Sequence, residues 1–302
     1  MKTKPPISRR NFIKKASLTT IALATANFAL AQKITHKKPN ILFIAVDDLR
    51  CQLGCYGHSE TISPNIDKLA AEGTIFKRAY CQVPVCGPSR VSVLTGVRPD
   101  SSMWKCSDLK TRFKTLPALF KDNGYYAISN GKVFHHMHDQ EQDWSQLPWR
   151  SVPIYHGQGD WAKYNSNKLW QDDESGKNIN PKTARGPYFD CADMPDNAYQ
   201  DGKVAEKTIA DLKRLKDMDK PFFLACGFWR PHLPFNAPKK YWDLYKREDI
   251  KLADNRYKPK DLPSQCRNSS EINQYGLVAN RKSDENFHRQ ARHGYYPLCQ
   301  NG

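Results

Sequence analysis

An α/β fold, a large and mostly parallel sheet with helices on both faces, is predicted by three features of the sequence. These are two continuous apolar runs of strand length, helix-patterned segments between them, and glycines that close those segments. The first run, Asn40-Ile-Leu-Phe-Ile-Ala-Val46, is continuously apolar after Asn40, which suits a central strand buried on both faces, and it ends in Asp47-Asp48. Ser63-Pro64 then supplies an N-cap and first turn; Ile66, Leu69 and Ala70 follow at helical spacing, and Gly73 closes the helix. Pro88 and Ser89 start a second helix that Gly96 stops, and residues 116–121 form a third, terminated by Gly124. Residues 125–129 are the next strand. Residues 201–216 form an amphipathic helix with Val204, Ile209, Leu212 and Leu215 inward, and 221–228 is the second strongly buried strand. Residues 139–200, rich in Trp, Pro, Asn, Asp and Gly, are expected to be long functional loops.

A chain of 302 residues can bury a sizeable core as one large domain or two modest ones. Its 39% hydrophobic and 26% charged residues exclude collagen-like, coiled-coil and wholly disordered classes. No apolar run reaches the roughly 18–20 residues of a membrane span. The net charge is +16, and six of the basic residues (Lys2, Lys4, Arg9, Arg10, Lys14, Lys15) lie within 1–31, where there is no acid. The basic excess that remains suits an anionic substrate or surface, and scattered solvated lysines account for it equally well. No nucleic-acid partner is expected.

Ser8-Arg9-Arg10-Asn11-Phe12-Ile13-Lys14 precedes a mildly apolar stretch from Ala16 to Ala29, and Ala29-Leu30-Ala31 makes a small-x-small cleavage site. The arrangement resembles a bacterial twin-arginine export signal over residues 1–31, which implies a periplasmic or secreted product. Residues 32–38 are then a linker, and 39–302 the folded domain. Nine cysteines, at 51, 55, 81, 86, 106, 191, 226, 266 and 299, invite disulfides in an exported chain, but an odd count leaves at least one unpaired.

Four clusters stand where an α/β sheet does its chemistry, beyond the carboxyl ends of strands. Asp47 and Asp48 repel each other, so a divalent cation is their natural partner, the alternative being a pair that caps a turn. Cys86, at a helix N-terminus, is either a low-pKa thiol nucleophile or a free cysteine in a proline-rich loop. Gly131-Lys132-Val133-Phe134-His135 is followed by His136 and His138, too close together on one loop for a three-ligand zinc site. Arg230-Pro231-His232-Leu233-Pro234-Phe235 follows the second buried strand and holds a histidine between prolines, placed as an acid or simply satisfied within its loop.

Cys86-Gly-Pro-Ser-Arg90 resembles the modification signature of type I sulfatases, in which the cysteine becomes formylglycine. The blocks 39–50, 63–67, 86–92 with 94–96, 98–100, 131–135 and 231–235 resemble, in order, the iduronate-2-sulfatase-like branch of the alkaline-phosphatase-like superfamily. The resemblance implies one calcium ion held by Asp47, Asp48 and the modified residue 86, whose hydrated aldehyde attacks sulfur. It further implies that Arg90 stabilises that residue, Lys132 and His232 bind the sulfate, His232 protonates the leaving oxygen and His135 helps to expel sulfate. A sulfated sugar or polysaccharide and a formylglycine-generating maturation enzyme are the implied partners.

Members of that family continue with an Asp-His-Gly segment and a further lysine. Here Arg292-His293-Gly294-Tyr295-Tyr296 is still family-like, Pro297 to Gly302 is not, and Asp-His-Gly is absent. The expectation is a C-terminally truncated catalytic domain without turnover of its own. The alternatives are an inactive remnant that binds sulfated glycan and a related phosphomonoester or phosphonate hydrolase.

Overall fold

The computed structural model describes residues 37–100, 113–136, 140–151, 179, 180, 182, 183, 185–255, 259–263, 269–278 and 284–300. The expected export segment, Cys106, His138 and Cys266 lie outside the described residues. The chain divides into two units at Pro39/Asn40, and all that follows concerns the second, Asn40–Gly302.

Its elements are β1 (Ile41–Val46), α1 (Pro64–Glu72), α2 (Cys86–Thr95), α3 (Leu116–Asp122), β2 (Tyr126–Gly131), β3 (Phe189–Asp190), α4 (Gln200–Leu215), β4 (Phe222–Phe228), β5 (Phe235–Asn236), α5 (Lys239–Trp242) and α6 (Glu285–Leu298). The described part of the main sheet has three strands, all parallel, in the order β1-β4-β2. Every residue of β4 is buried. On one face Phe223 and Ala225 pack with Val91 and Leu94 of α2 and Phe120 of α3; the Phe120 and Phe223 rings stack at 4.4 Å. On the other face Leu224 meets Leu215 of α4, and Cys226 and Phe228 meet Val204 of the same helix. Each such large side chain taken from water contributes about 1.5–3 kcal/mol, so β4 anchors the fold. The smaller sheet pairs β3 with β5 beside α6.

The register places Val46 opposite Phe228 and Gly131 opposite Gly227, so all three strands end on one edge of the sheet. Gly131 has φ +74°, and a Cβ there would lie 2.1 Å from the Gly227 carbonyl oxygen. Only glycine allows β2 to turn so close to β4 and deliver Lys132 to that edge.

Several local expectations are corrected. Among the described residues β1 is an edge strand and β4 the central one: Leu42 and Ile44 are 44% and 49% exposed. Helix α2 begins at Cys86 rather than Pro88; Pro88 lies in the first turn, where a missing N–H breaks no bond. The Ser63 hydroxyl does not cap α1 but donates to the Asp67 carboxylate at 3.0 Å and accepts from the Gly54 N–H. Leu69 points to solvent, as does Ile209 at 53% exposure. Val204 and Leu215 are buried as expected and Leu212 packs partly buried against the same core, while Thr208 and Asp211 take the inward place expected of Ile209. Thr208 reaches Cys226 Sγ at 3.4 Å, and Asp211 accepts from Asn130 Nδ2 at 2.9 Å. The seven described cysteines are all free.

Candidate active site

Three of the four clusters leave the sheet along that common edge: Asp47 after β1, Lys132 after β2, and Trp229 to His232 after β4. Helix α2 brings in Cys86 as its first residue. Asp47, Asp48, Cys86, Ser89, Arg90 and Val133 line a cleft of about 630 Å³.

Asp47 is the electrostatic centre. Its Oδ1 lies 3.0 Å from Arg90 Nη2, and its Oδ2 accepts from the buried Lys132 ammonium. Burial alone would raise this carboxyl, but Lys132 and Arg90, with His232, outweigh it and hold the pKa at about 2. Arg90 is also fixed by the carbonyls of Lys132 and Val133, the latter at 2.9 Å. Lys132 Nζ sits 4.7 Å from the centroid of a Trp229 ring, a cation–π contact. Arg150 supports the same wall, donating from Nη2 to the Phe134 carbonyl at 3.1 Å.

The Cys86 thiol is pushed up by burial, and the Asp47 and Asp48 charges add to that effect against Lys132 and the Gly87 N–H. The position at the head of α2 therefore does not yield the low-pKa nucleophile that the sequence suggested. Burial, reinforced by Lys132 and His136, lowers His135 to about 3, so its imidazole is neutral at ordinary pH; Nδ1 lies 3.3 Å from His136 Nε2.

His232 Nδ1 is 2.7 Å from the Leu233 carbonyl oxygen, which can only accept, so Nδ1 carries a proton. Nε2 is therefore the working nitrogen, 4.0 Å from Asp48 Oδ2 and 3.7 Å from Glu271 Oε1. The preceding turn is pinned by Asp201 of α4, which accepts from the Trp229 and Arg230 N–H groups at 3.0 and 2.8 Å. The Arg230 guanidinium in turn donates to the His232 carbonyl at 2.9 Å. Burial raises the Asp201 carboxyl against the opposing Arg230 charge and those two N–H groups.

Asp201, Arg230, Trp229, Arg150 and Glu271 are working parts to which the sequence analysis assigned no role. Arg230 and Trp229 stood beside the histidine motif, whereas Asp201 looked like an ordinary acid in the first turn of a helix.

Asp48 has φ 58° and a half-exposed side chain, and its carbonyl accepts from the Tyr295 hydroxyl at 2.9 Å. Partial burial raises its carboxyl, opposed by His232 and assisted by the Asp47 charge. Among the described residues no three His, Cys, Asp or Glu side chains converge on a possible metal, and this covers His135 and His136 as well. Asp47 and Asp48 are donors of the kind calcium prefers, but both Asp47 oxygens are engaged by cations and about 6–8 donors are needed. The described residues alone do not fit the calcium ion.

A family model described as Sulfatase matches residues 39–291. The iduronate 2-sulfatase of Mus musculus is 40% identical over 237 residues, which cover 74% of this chain and 40% of that protein. The iduronate 2-sulfatase of Homo sapiens is 38% identical over 264 residues, covering 82% and 44%. The chain thus spans about two fifths of the length of these curated relatives. The crystal structure of the phosphonate monoester hydrolase of Agrobacterium radiobacter superposes with a TM-score of 0.57 at 19% identity, over 87% of this chain and 56% of its own. That likeness shows a shared α/β fold, in keeping with the alkaline-phosphatase-like architecture implied by the motifs.

Proposed function

The chain belongs to the sulfatase family, and on that premise we propose that it serves the hydrolysis of sulfuric esters on a sulfated sugar or polysaccharide, with Cys86 converted to formylglycine. The observation that carries this reading is the convergence at the sheet edge of Asp47, Lys132 and Arg90 beside residue 86. Asp47 contributes one negative charge against the cations of Lys132 and Arg90, beside residue 86. With Asp48 lining the same cleft the two carboxylates balance the two cations, so the choice of a sulfate ester over a phosphate ester rests on the sulfatase family rather than on charge.

A half-buried thiol with a raised pKa is a poor nucleophile, whereas the hydrate of an aldehyde at the same position supplies an oxygen one. Lys132 would hold the sulfuryl oxygens, sharing its ammonium between them and Asp47. Arg90 fixes Asp47 and the Lys132–Val133 backbone, and so sets where Lys132 stands. His232, anchored through Nδ1, offers Nε2 to the leaving oxygen as the proton donor. After transfer, His135, neutral at ordinary pH, would take the proton of the remaining hydroxyl, so that the aldehyde C=O reforms and the C–O bond to sulfate breaks, releasing sulfate. Calcium would enter this site only with oxygen donors beyond Asp47 and Asp48, and no step here depends on it. The name of the relatives makes a uronate 2-sulfate the first substrate to try. Export through the twin-arginine signal and prior action of a maturation enzyme complete the proposal.

The test is hydrolysis of aryl sulfate against aryl phosphate by aldehyde-bearing protein. Sulfate release that disappears in Cys86→Ala supports the proposal. Phosphate release without sulfate release contradicts it.

A further inference from the structure

We propose that Glu271, restrained by Arg185, is a positioning residue for His232: it holds the imidazole with its Nε2 edge toward the cleft and leaves the hydrogen of that nitrogen free for the leaving oxygen. This rests on the sulfatase reading above and deepens it at the acid.

His232 is anchored at one nitrogen. Nδ1 meets the Leu233 carbonyl at 2.7 Å, and a single such bond leaves the ring able to swing about it. Nε2 stands before two carboxylates, Glu271 at 3.7 Å and Asp48 at 4.0 Å. The Asp48 side chain is 53% exposed, whereas that of Glu271 is 33% exposed and tied down. Its Oε1, the atom that faces His232, also accepts from Arg185 Nη1 at 3.4 Å. The Arg185 guanidinium lies over the ring of the buried Tyr275, 5.0 Å from its centroid, which fixes the cation in turn.

The two segments that carry this pair are stitched together. The Gly276 N–H donates to the Gly186 carbonyl at 2.8 Å, Asn180 Nδ2 to the Asn273 carbonyl at 3.1 Å, and the Thr183 hydroxyl to the Gln274 carbonyl. Tyr275 and Tyr188 belong to the apolar cluster against which Leu233 packs. One cluster therefore places both the carbonyl that anchors Nδ1 and the carboxylate that faces Nε2.

The distances define the role. A separation of 3.7 Å exceeds the roughly 2.7–3.2 Å of an N–H···O hydrogen bond, so Glu271 attracts the ring edge without consuming its donor. Arg185 engages the same oxygen and keeps it from closing on Nε2. A carboxylate that closed would compete with the substrate for the proton that the acid must give. With no carboxylate there, the ring would keep its Nδ1 bond but lose the hold on its orientation.

The test compares nitrophenyl sulfate, whose oxygen departs unaided, with a uronate 2-sulfate monosaccharide, whose alkoxide leaves poorly, on aldehyde-bearing protein. Glu271→Gln is nearly isosteric at a part-exposed position, so folding is not at stake. It should lower kcat on the sugar sulfate about tenfold, a part of the roughly 10²–10⁴-fold that a whole acid contributes, with KM unchanged and a far smaller effect on nitrophenyl sulfate. Arg185→Gln should act in the same direction, and Arg185→Lys, which keeps a cation on the carboxylate, should restore most of the rate. In a His232→Gln background Glu271→Gln should add nothing, because it acts through that ring.

Equal losses on the two esters, a loss confined to KM, or full additivity with His232→Gln would overturn the proposal. No turnover of either ester by the wild type would count against the sulfatase reading, and the positioning role is then read in the chain itself by NMR of isotope-labelled histidine. Faster solvent exchange of the His232 Nδ1–H in Glu271→Gln would keep the role, and an unchanged exchange rate would overturn it.

Discussion

The ammonium of Lys132 sits on the carboxylate of Asp47 although the two residues end strands that do not touch, since β4 lies between β1 and β2. The pair exists because the strands finish in register and because Gly131 turns the chain toward β4. Both side chains are buried, and Arg90 closes the group from α2.

Replacing Lys132 by methionine should destabilise the fold. Asp47 would keep only Arg90, and breaking a buried ion pair by removing one partner typically costs about 3–5 kcal/mol. With Arg90 still present the lower end of that range is expected. Urea unfolding monitored by tryptophan fluorescence measures it, and an unchanged midpoint would show that the pair contributes nothing.

Acid should weaken the fold in two separable steps. His135 has its pKa lowered from 6.5 to about 3, so the unfolded chain binds the extra proton first. The stability it contributes is complete above pH 6.5 and falls by up to about 1.4 kcal/mol per pH unit from there toward 3. Asp47 is lowered from 3.8 to about 2, so its contribution is complete above pH 3.8 and is lost between there and 2. His135→Gln should flatten the first step, whereas Asp47→Asn should remove the second and, by withdrawing a charge that favours protonated His135, deepen the first. Stability curves of the variants parallel to the wild type would contradict both assignments.

His232→Gln in catalytically competent protein should slow substrates with poor leaving groups far more than activated aryl sulfates. An acid matters least where the leaving oxygen departs unaided, and its removal costs about 10²–10⁴-fold where it does not. Equal losses on both substrate types would reduce His232 to a sulfate-positioning group. Asp201→Ala, which frees the Trp229 and Arg230 N–H groups, should reproduce part of the same selective loss.

Replacing Arg9 and Arg10 by lysine should leave the precursor inside the cell. Unchanged export on fractionation of that variant would remove the twin-arginine assignment.

The strand that anchors the fold and the clusters around it were legible because strand-length apolar runs and residues after strand ends are local signals. The edge position of β1 was not, because Leu42 and Ile44 look the same in sequence whether covered or half-exposed. Ile209 was misplaced for a related reason. The buried stripe of α4 carries Thr208 and Asp211, whose partners Cys226 and Asn130 lie on other strands, so a hydrophobicity pattern passes over them. Asp201 and Glu271 escaped because each acts on the β4 turn from a distant part of the chain. The thiol shift at Cys86 depends on burial and on two carboxylates from β1, which no helix-terminus argument contains.

Sulfate ester hydrolysis by this chain depends on the chemical state of residue 86. The most direct measurement is peptide mass spectrometry of the segment that contains it, from chain produced together with a formylglycine-generating enzyme. The account predicts an aldehyde in place of the Cys86 thiol, captured by a hydrazide probe and absent from Pro88→Ala with Arg90→Ala. An intact thiol in every wild-type peptide, with the same enzyme modifying a control motif in parallel, would contradict it.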